Sequence, residues 1–187
     1  MVDVSGLIDF ETGAQSKRIF WDQDIYEQEL ERVFGRAWLF LTHESAVPQS
    51  GDFFSTYMGE DAVIVVRQDD GGIGAFLNYC QHRGNQLCYA DSGNVSAFSC
   101  NYHGWAYGRN GDLVGVPLEQ EVYFNELNKQ EFGLRRVARV ESYKGLVFGC
   151  FDADAPSLAD YLGDMGWYMD SFLEGSGGAT IVGPPMK

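Results

Sequence analysis

Two short runs hold most of this chain's chemistry: "CQHRG", residues 80–84, and "CNYHGW", residues 100–105. Their pattern is Cys80-x-His82 followed, across residues 83–99, by Cys100-x-x-His103. One thiolate former and one imidazole in each run make metal ligation the chemistry to expect, since these are the ligands of soft and borderline metals. Residues two apart on an extended or looped backbone can point the same way. Cys80 and His82 can therefore converge on one object, and Cys100 and His103 can join them after an intervening hairpin. Gly84 and Gly104 stand just past the histidines, where a missing side chain would let backbone and partner approach closely.

Two metal readings fit the residue types. A set of two cysteines and two histidines suits tetrahedral zinc. Zinc fingers, however, commonly separate paired ligands by two or more residues and keep both histidines on one element, whereas each run here is mixed. A mixed run suits a two-iron cluster better, with both cysteines on one iron and both histidines on the other. The other cysteines are Cys88 and Cys150. Four cysteines would permit disulfides, but a 187-residue chain with ample apolar content does not need them.

The elements that must position these runs are mostly strands. From Asp52 onward, "DFFSTYM" and "DAVIVVRQ" read as strands, and "DDGG" (69–72) supplies a turn before "IGAFLNY". "SAFSC", "GWAYG" and "LVGVP" are short strands, the last two split by the hairpin signal "RNGD" (109–112). "LRRVARVESY" and "GLVFGCF" complete a pattern that implies an antiparallel sandwich or small barrel, mainly β with flanking helices. Residues 1–20 read as an irregular arm. Asp24 is the expected cap of a helix over "IYEQELERVFGRAWLF", with Ile25, Leu30, Val33, Phe34 and Trp38 on one face. Ser157, with Asp160 three residues on, is the expected cap of a helix over "SLADYLGDMGWYMDSFL". After it, "EGSGGATIVGPPMK" reads as an exit strand or linker.

Net charge is −14, which repels phosphate backbones and anionic lipid surfaces, so neither nucleic acid nor a membrane is an expected partner. The first residues mix acids with apolars and lack the basic start and hydrophobic core of a secretory signal. The chain reads as cytoplasmic.

The two runs match the Rieske box, and the chain resembles the alpha subunit of aromatic ring-hydroxylating dioxygenases of the naphthalene, biphenyl and polycyclic hydrocarbon group. Besides the box, "RIFWDQDIYEQELERVFGRAWLFLTHES", "GDFFSTYM", "HRGNQLC", "NGDLVGVP" and "YKGLVFGCFD" carry the resemblance, which extends over nearly all of residues 15–187. It implies a Rieske-type β-sandwich or small barrel with a two-loop cluster-binding tip. Cys80, His82, Cys100 and His103 would ligate a [2Fe-2S] cluster. Arg83, Gly84, Tyr102, Gly104 and Trp105 would form its surroundings, Tyr102 and Trp105 packing to exclude water and Arg83 either aiding docking or tuning charge, or else contacting nearby backbone. Respiratory Rieske proteins carry a further disulfide whose cysteines would fall at Asn85 and Tyr102, so the centre resembles the lower-potential kind. Cys88 is then expected to be a buried free thiol and Cys150 a core residue.

In this family a second domain holds a mononuclear iron on two histidines and one aspartate. With His82 and His103 assigned to the cluster, only His43 remains, so no catalytic residue is expected in these 187 residues. The implied organisation is an arm and helix over 1–40, the Rieske domain over 41–155, and a helix and linker over 156–187 leading to a catalytic domain absent from this chain. Implied partners are a ferredoxin donor, that catalytic domain, a neighbouring alpha subunit and a beta subunit, in an alpha3 or alpha3beta3 assembly. The function so implied is electron delivery for O2-dependent cis-dihydroxylation of aromatic hydrocarbons. A stand-alone elongated Rieske ferredoxin and a zinc-stabilised binding module are the alternatives.

Overall fold

In the computed structural model, residues 3–175 together with 182 and 183 are described. The strands run β1 (Leu39–His43), β2 (Asp52–Met58), β3 (Asp61–Arg67), β4 (Ile73–Leu77), β5 (Ser92–Asn94), β6 (Phe98–Ser99), β7 (Ala106–Tyr107), β8 (Leu113–Gly115), β9 (Arg139–Tyr143) and β10 (Leu146–Cys150). They form three antiparallel sheets, in the orders β1-β10-β9, β4-β3-β2-β5 and β6-β7-β8. The antiparallel expectation holds; the sheets stay open rather than closing into a barrel.

Strand β3 shows why the sheets stack. Its run "DAVIVVR" is apolar at successive positions, and side chains alternate across a strand. Val63 and Val65 therefore face one way, into a core with Leu41, Met58 and Val147. Ile64 and Val66 face the other way, into a core with Phe53, Phe76, Cys80, Cys100, Trp105 and Tyr107. A strand buried on both faces needs cover on both sides, and the two three-stranded sheets supply it. The second core is the floor of the cysteine–histidine runs.

Both expected turns form. Residues 69–72 join β3 to β4, and residues 109–112 join β7 to β8, where Gly108 N–H donates to the Asp112 carbonyl. The segment between the two ligand runs is not a hairpin. Strand β5 pairs with β2 and β6 pairs with β7, so the chain crosses from one sheet to another on its way between the runs.

The helices differ from expectation in their limits. Asp22, not Asp24, caps α1 (Gln23–Glu29), its carboxylate accepting from Ile25 N–H. A wider π turn over Leu30–Phe34 follows, and the chain then leaves the helix. Trp38 lies beyond it, buried, with its indole N–H donating to the Pro156 carbonyl at 3.0 Å. Of the expected apolar face only Ile25 and Trp38 are buried. After a short α2 (Glu119–Tyr123), Ser157 caps α3 (Leu158–Leu162) as expected, accepting from Asp160 N–H. Gly163, at φ 47°, separates it from α4 (Met165–Leu173). The break leaves Met165, Tyr168 and Phe172 exposed, so the apolar stripe across the two helices is buried only at its start, at Leu158. Most of the expected exit strand or linker lies outside the described residues. Among those described, no helix is long and apolar enough to cross a membrane.

Candidate metal centre

The two runs fold into matching turns. Cys80 N–H donates to the Asn85 carbonyl and the Cys80 carbonyl accepts from Gly84 N–H; Cys100 N–H donates to the Trp105 carbonyl and the Cys100 carbonyl accepts from Gly104 N–H. Each turn closes through a glycine in the left-handed region, at φ 71° for Gly84 and 75° for Gly104, a conformation that side-chain-bearing residues rarely adopt. The reason for glycine is thus mainly backbone. Around Gly84 a Cβ would meet open space within the chain. At Gly104 a Cβ would lie 2.7 Å from Pro117, so at that position close packing adds to the requirement.

The turns bring like with like. Cys80 and Cys100 are both buried, in the same core cluster, with their sulfurs in reach of one another. His82 and His103 sit half-buried with ring centroids 4.7 Å apart, edge to face. Among the described residues no three His, Cys, Asp or Glu side chains gather about one point as they would around a single ion. A sulfur pair and a nitrogen pair, at different ends, is the division a two-iron cluster requires.

Electrostatics acts unequally on these donors. Burial pushes the Cys80 thiol up from its ordinary value. Burial acts most strongly on Cys100, but hydrogen bonds from the Tyr102 and His103 N–H groups and from the Cys80 and Asn85 side chains together outweigh it, and its thiol falls below the usual range. Burial first, then the neighbouring His103 and Arg83, lowers His82 from the ordinary histidine value, so its ring is neutral at pH 7, as ligation demands. The Nδ1 of His82 is buried without a hydrogen-bond partner. A buried polar atom left alone is costly in a protein-only environment; a metal at that atom removes the cost. The residues present therefore fit a [2Fe-2S] group.

The surrounding residues divide. Trp105 is buried and stacks on His82, centroids 4.8 Å apart and planes 10° from parallel. Tyr102 is 59% exposed, yet its ring lies 3.8 Å from that of His103 and covers it. Arg83 is exposed and makes no hydrogen bond or ion pair among the described residues, so of its two readings the contact to nearby backbone is not formed. Cys88 is only partly buried, against expectation, because its turn lies at the surface and its thiol leans on the Ala90 carbonyl. Cys150 is fully buried, as expected. His43 caps a 3-10 turn, its Nδ1 accepting from Ser45 N–H at 3.1 Å.

Two side chains outside the expected cluster surroundings reach the sulfurs. The Tyr107 hydroxyl lies 3.2 Å from Cys80 Sγ and accepts from Gln81 N–H at 3.0 Å. The Asn85 carboxamide lies 3.7 Å from Cys100 Sγ. A signal for the first existed: Tyr107 is two residues past Trp105 on a strand, so both must face the same core. For Asn85 the signal was its place, opposite Tyr102, at the disulfide position of respiratory Rieske proteins.

The chain belongs to the Rieske [2Fe-2S] domain family, whose sequence profile matches residues 37–143. It is 51% identical, over all 187 residues, to the large oxygenase component of the naphthalene 1,2-dioxygenase system of Pseudomonas aeruginosa, and spans 40% of that protein. To the alpha subunit of biphenyl 2,3-dioxygenase from Rhodococcus jostii (strain RHA1) it is 51% identical over 99% of this chain and 40% of that one. A crystal structure of naphthalene 1,2-dioxygenase with indole in its active site superposes with a TM-score of 0.90 at 49% identity, covering 96% of this chain and 40% of the other. The chain thus spans about two fifths of the length of these relatives.

Proposed function

We propose that Cys80, His82, Cys100 and His103 ligate the [2Fe-2S] cluster, and that this chain is the electron-carrying portion of an aromatic ring-hydroxylating dioxygenase alpha subunit. The observation that carries the assignment is the segregation of the four donors into a buried sulfur pair and a half-buried nitrogen pair at the ends of two matching turns. When bound, such a cluster exchanges one electron at a potential above that of all-cysteine clusters, because neutral imidazoles replace two charged thiolates. The protein does the rest. The apolar floor keeps water from the sulfurs, Trp105 fixes the His82 plane, and the histidine end, screened by Tyr102, faces partners.

The relatives' names support the wider reading. A ferredoxin donates the electrons, and they pass to a mononuclear iron, on two histidines and an aspartate, in a catalytic domain beyond this chain. There O2-dependent cis-dihydroxylation of an aromatic hydrocarbon takes place, in an alpha3 or alpha3beta3 assembly in the cytoplasm. In this reading 41–155 is the Rieske domain, 1–40 its arm and helix, and 156–187 a helix and linker toward the catalytic domain. A stand-alone ferredoxin is disfavoured by identity near one half to oxygenase components.

Iron and acid-labile sulfide in equal amounts, a visible charge-transfer spectrum and a reduced-state electron resonance signal are expected of the purified protein. His82→Ala and His103→Ala should each abolish the visible spectrum. Zinc without sulfide, or an unchanged spectrum in both variants, overturns the ligand assignment. Substrate turnover by the whole subunit with its ferredoxin tests the oxygenase reading.

A further inference from the structure

The two turns are tied to each other crosswise. Tyr107, on the strand that leaves the second turn, reaches back to Cys80 Sγ of the first. Asn85, the residue that closes the first turn with its carbonyl, reaches forward to the second. Its Nδ2 lies 3.0 Å from Asn101 Oδ1 and 3.7 Å from Cys100 Sγ, and 2.8 Å from the carbonyl of Gln86. Besides the other cysteine, each sulfur thus meets one polar side chain, and each comes from the side of the opposite run.

We propose that Asn85 is a positioning residue of the centre, fastening the second turn to the first through Asn101 and setting the reduction potential through its N–H to the Cys100 sulfur. This rests on the ligand assignment above. An N–H directed at a thiolate stabilises it most when the cluster carries the extra electron, because hydrogen bonds to charged groups strengthen with charge. Loss of the donor therefore disfavours reduction. Loss of the Asn101 acceptor alone loosens the fastening and leaves the sulfur's donor in place. The two roles are separable.

The cluster-loaded 187-residue chain is titrated anaerobically against a one-electron dye of matched potential, and bleaching of its visible band is timed in the presence of a chelator. Asn85→Leu, close in shape and without a donor, should shift the reduction equilibrium about fivefold toward the oxidised form, the effect of one ordinary hydrogen bond, and should bleach faster. Asn101→Ala should bleach faster at unchanged potential. Should Asn85→Leu lose its cluster on purification, Asn85→Ser, too short to reach Cys100, is titrated in its place under the same criterion. An unshifted potential in the titrated Asn85 variant overturns the proposal, as does bleaching at the parent rate in both Asn85 and Asn101 variants. A parent protein without iron and sulfide would instead defeat the ligand assignment itself.

Discussion

Tyr107 has no exposed surface, and its hydroxyl is held between a backbone donor and a sulfur. Because the oxygen accepts from Gln81 N–H, its own proton is free to point at Cys80 Sγ. Burial, followed by the Cys80 sulfur, raises this phenol far above its ordinary pKa, which favours its protonated, donating form. Tyr107→Phe keeps the ring in the core and removes one charge-assisted bond. If that bond is about 1 kcal/mol stronger in the reduced state, the one-electron potential falls by about 40 mV. Redox titration measures the shift, with the visible spectrum retained as the sign that the fold is intact. The residue types and spacings of the two runs were legible in the sequence because chain neighbours set them. Tyr107 and Asn85 act on residues 27 and 15 positions away, and only the folded chain makes them neighbours.

At the level of elements, the β7–β8 hairpin holds the second run in place. Its turn glycine, Gly111, sits at φ 83° with a Cβ position 2.3 Å from the Phe76 ring, a core side chain. Gly71, in the β3–β4 turn, has nearly the same φ of 85° with nothing within 4 Å. Alanine at Gly71 meets backbone strain alone, about 1 kcal/mol. Alanine at Gly111 adds overpacking and should cost about 2–4 kcal/mol in all. Urea denaturation of both variants checks the difference; equal losses would show that the Phe76 contact carries no energy. The two turns were readable from "DDGG" and "RNGD" because turn chemistry is local. The unequal tolerance of their glycines was not, since it depends on which core side chain each turn overhangs. The same limit explains the N-terminal helix: its apolar residues were visible, but the chain leaves the helix after Phe34 so that Leu39–His43 can pair with Leu146–Gly149 across the molecule.

Across the whole molecule, several aspartates are held ionised by hydrogen bonds that exist only in the fold. Asp69 is lowered by the Ser50 hydroxyl and then by Arg109, whose guanidinium also donates to Ser50 and to the Val95 carbonyl. Asp52 is lowered chiefly by the Asn94 amide, and Asp22 chiefly by Arg18. A carboxylate whose folded value is depressed contributes stability that is complete above its unfolded value and is lost as pH falls through the folded one. Thermal unfolding midpoints should therefore hold down to about pH 5 and drop steadily below about pH 4. Asp69→Asn should show a shallower acid decline than the parent, because its side chain no longer titrates; an identical slope would mean that the strap from Ser50 to Arg109 is not formed in solution.

What the sequence determined by itself was whatever is written in short range: the cysteines and histidines of the two runs, their spacing, turn residues, strand alternation and the cap at Ser157. These suffice for the class of cofactor and for a mainly antiparallel fold. Tertiary structure alone decided which strands pair, since β5 and β6 part company to different sheets, and which side chains meet the sulfurs. The reason is geometric. Backbone propensity and side-chain periodicity act over a few residues, while sheet order and the crossed donors at Cys80 and Cys100 arise only when distant segments compete to cover the two apolar faces of β3.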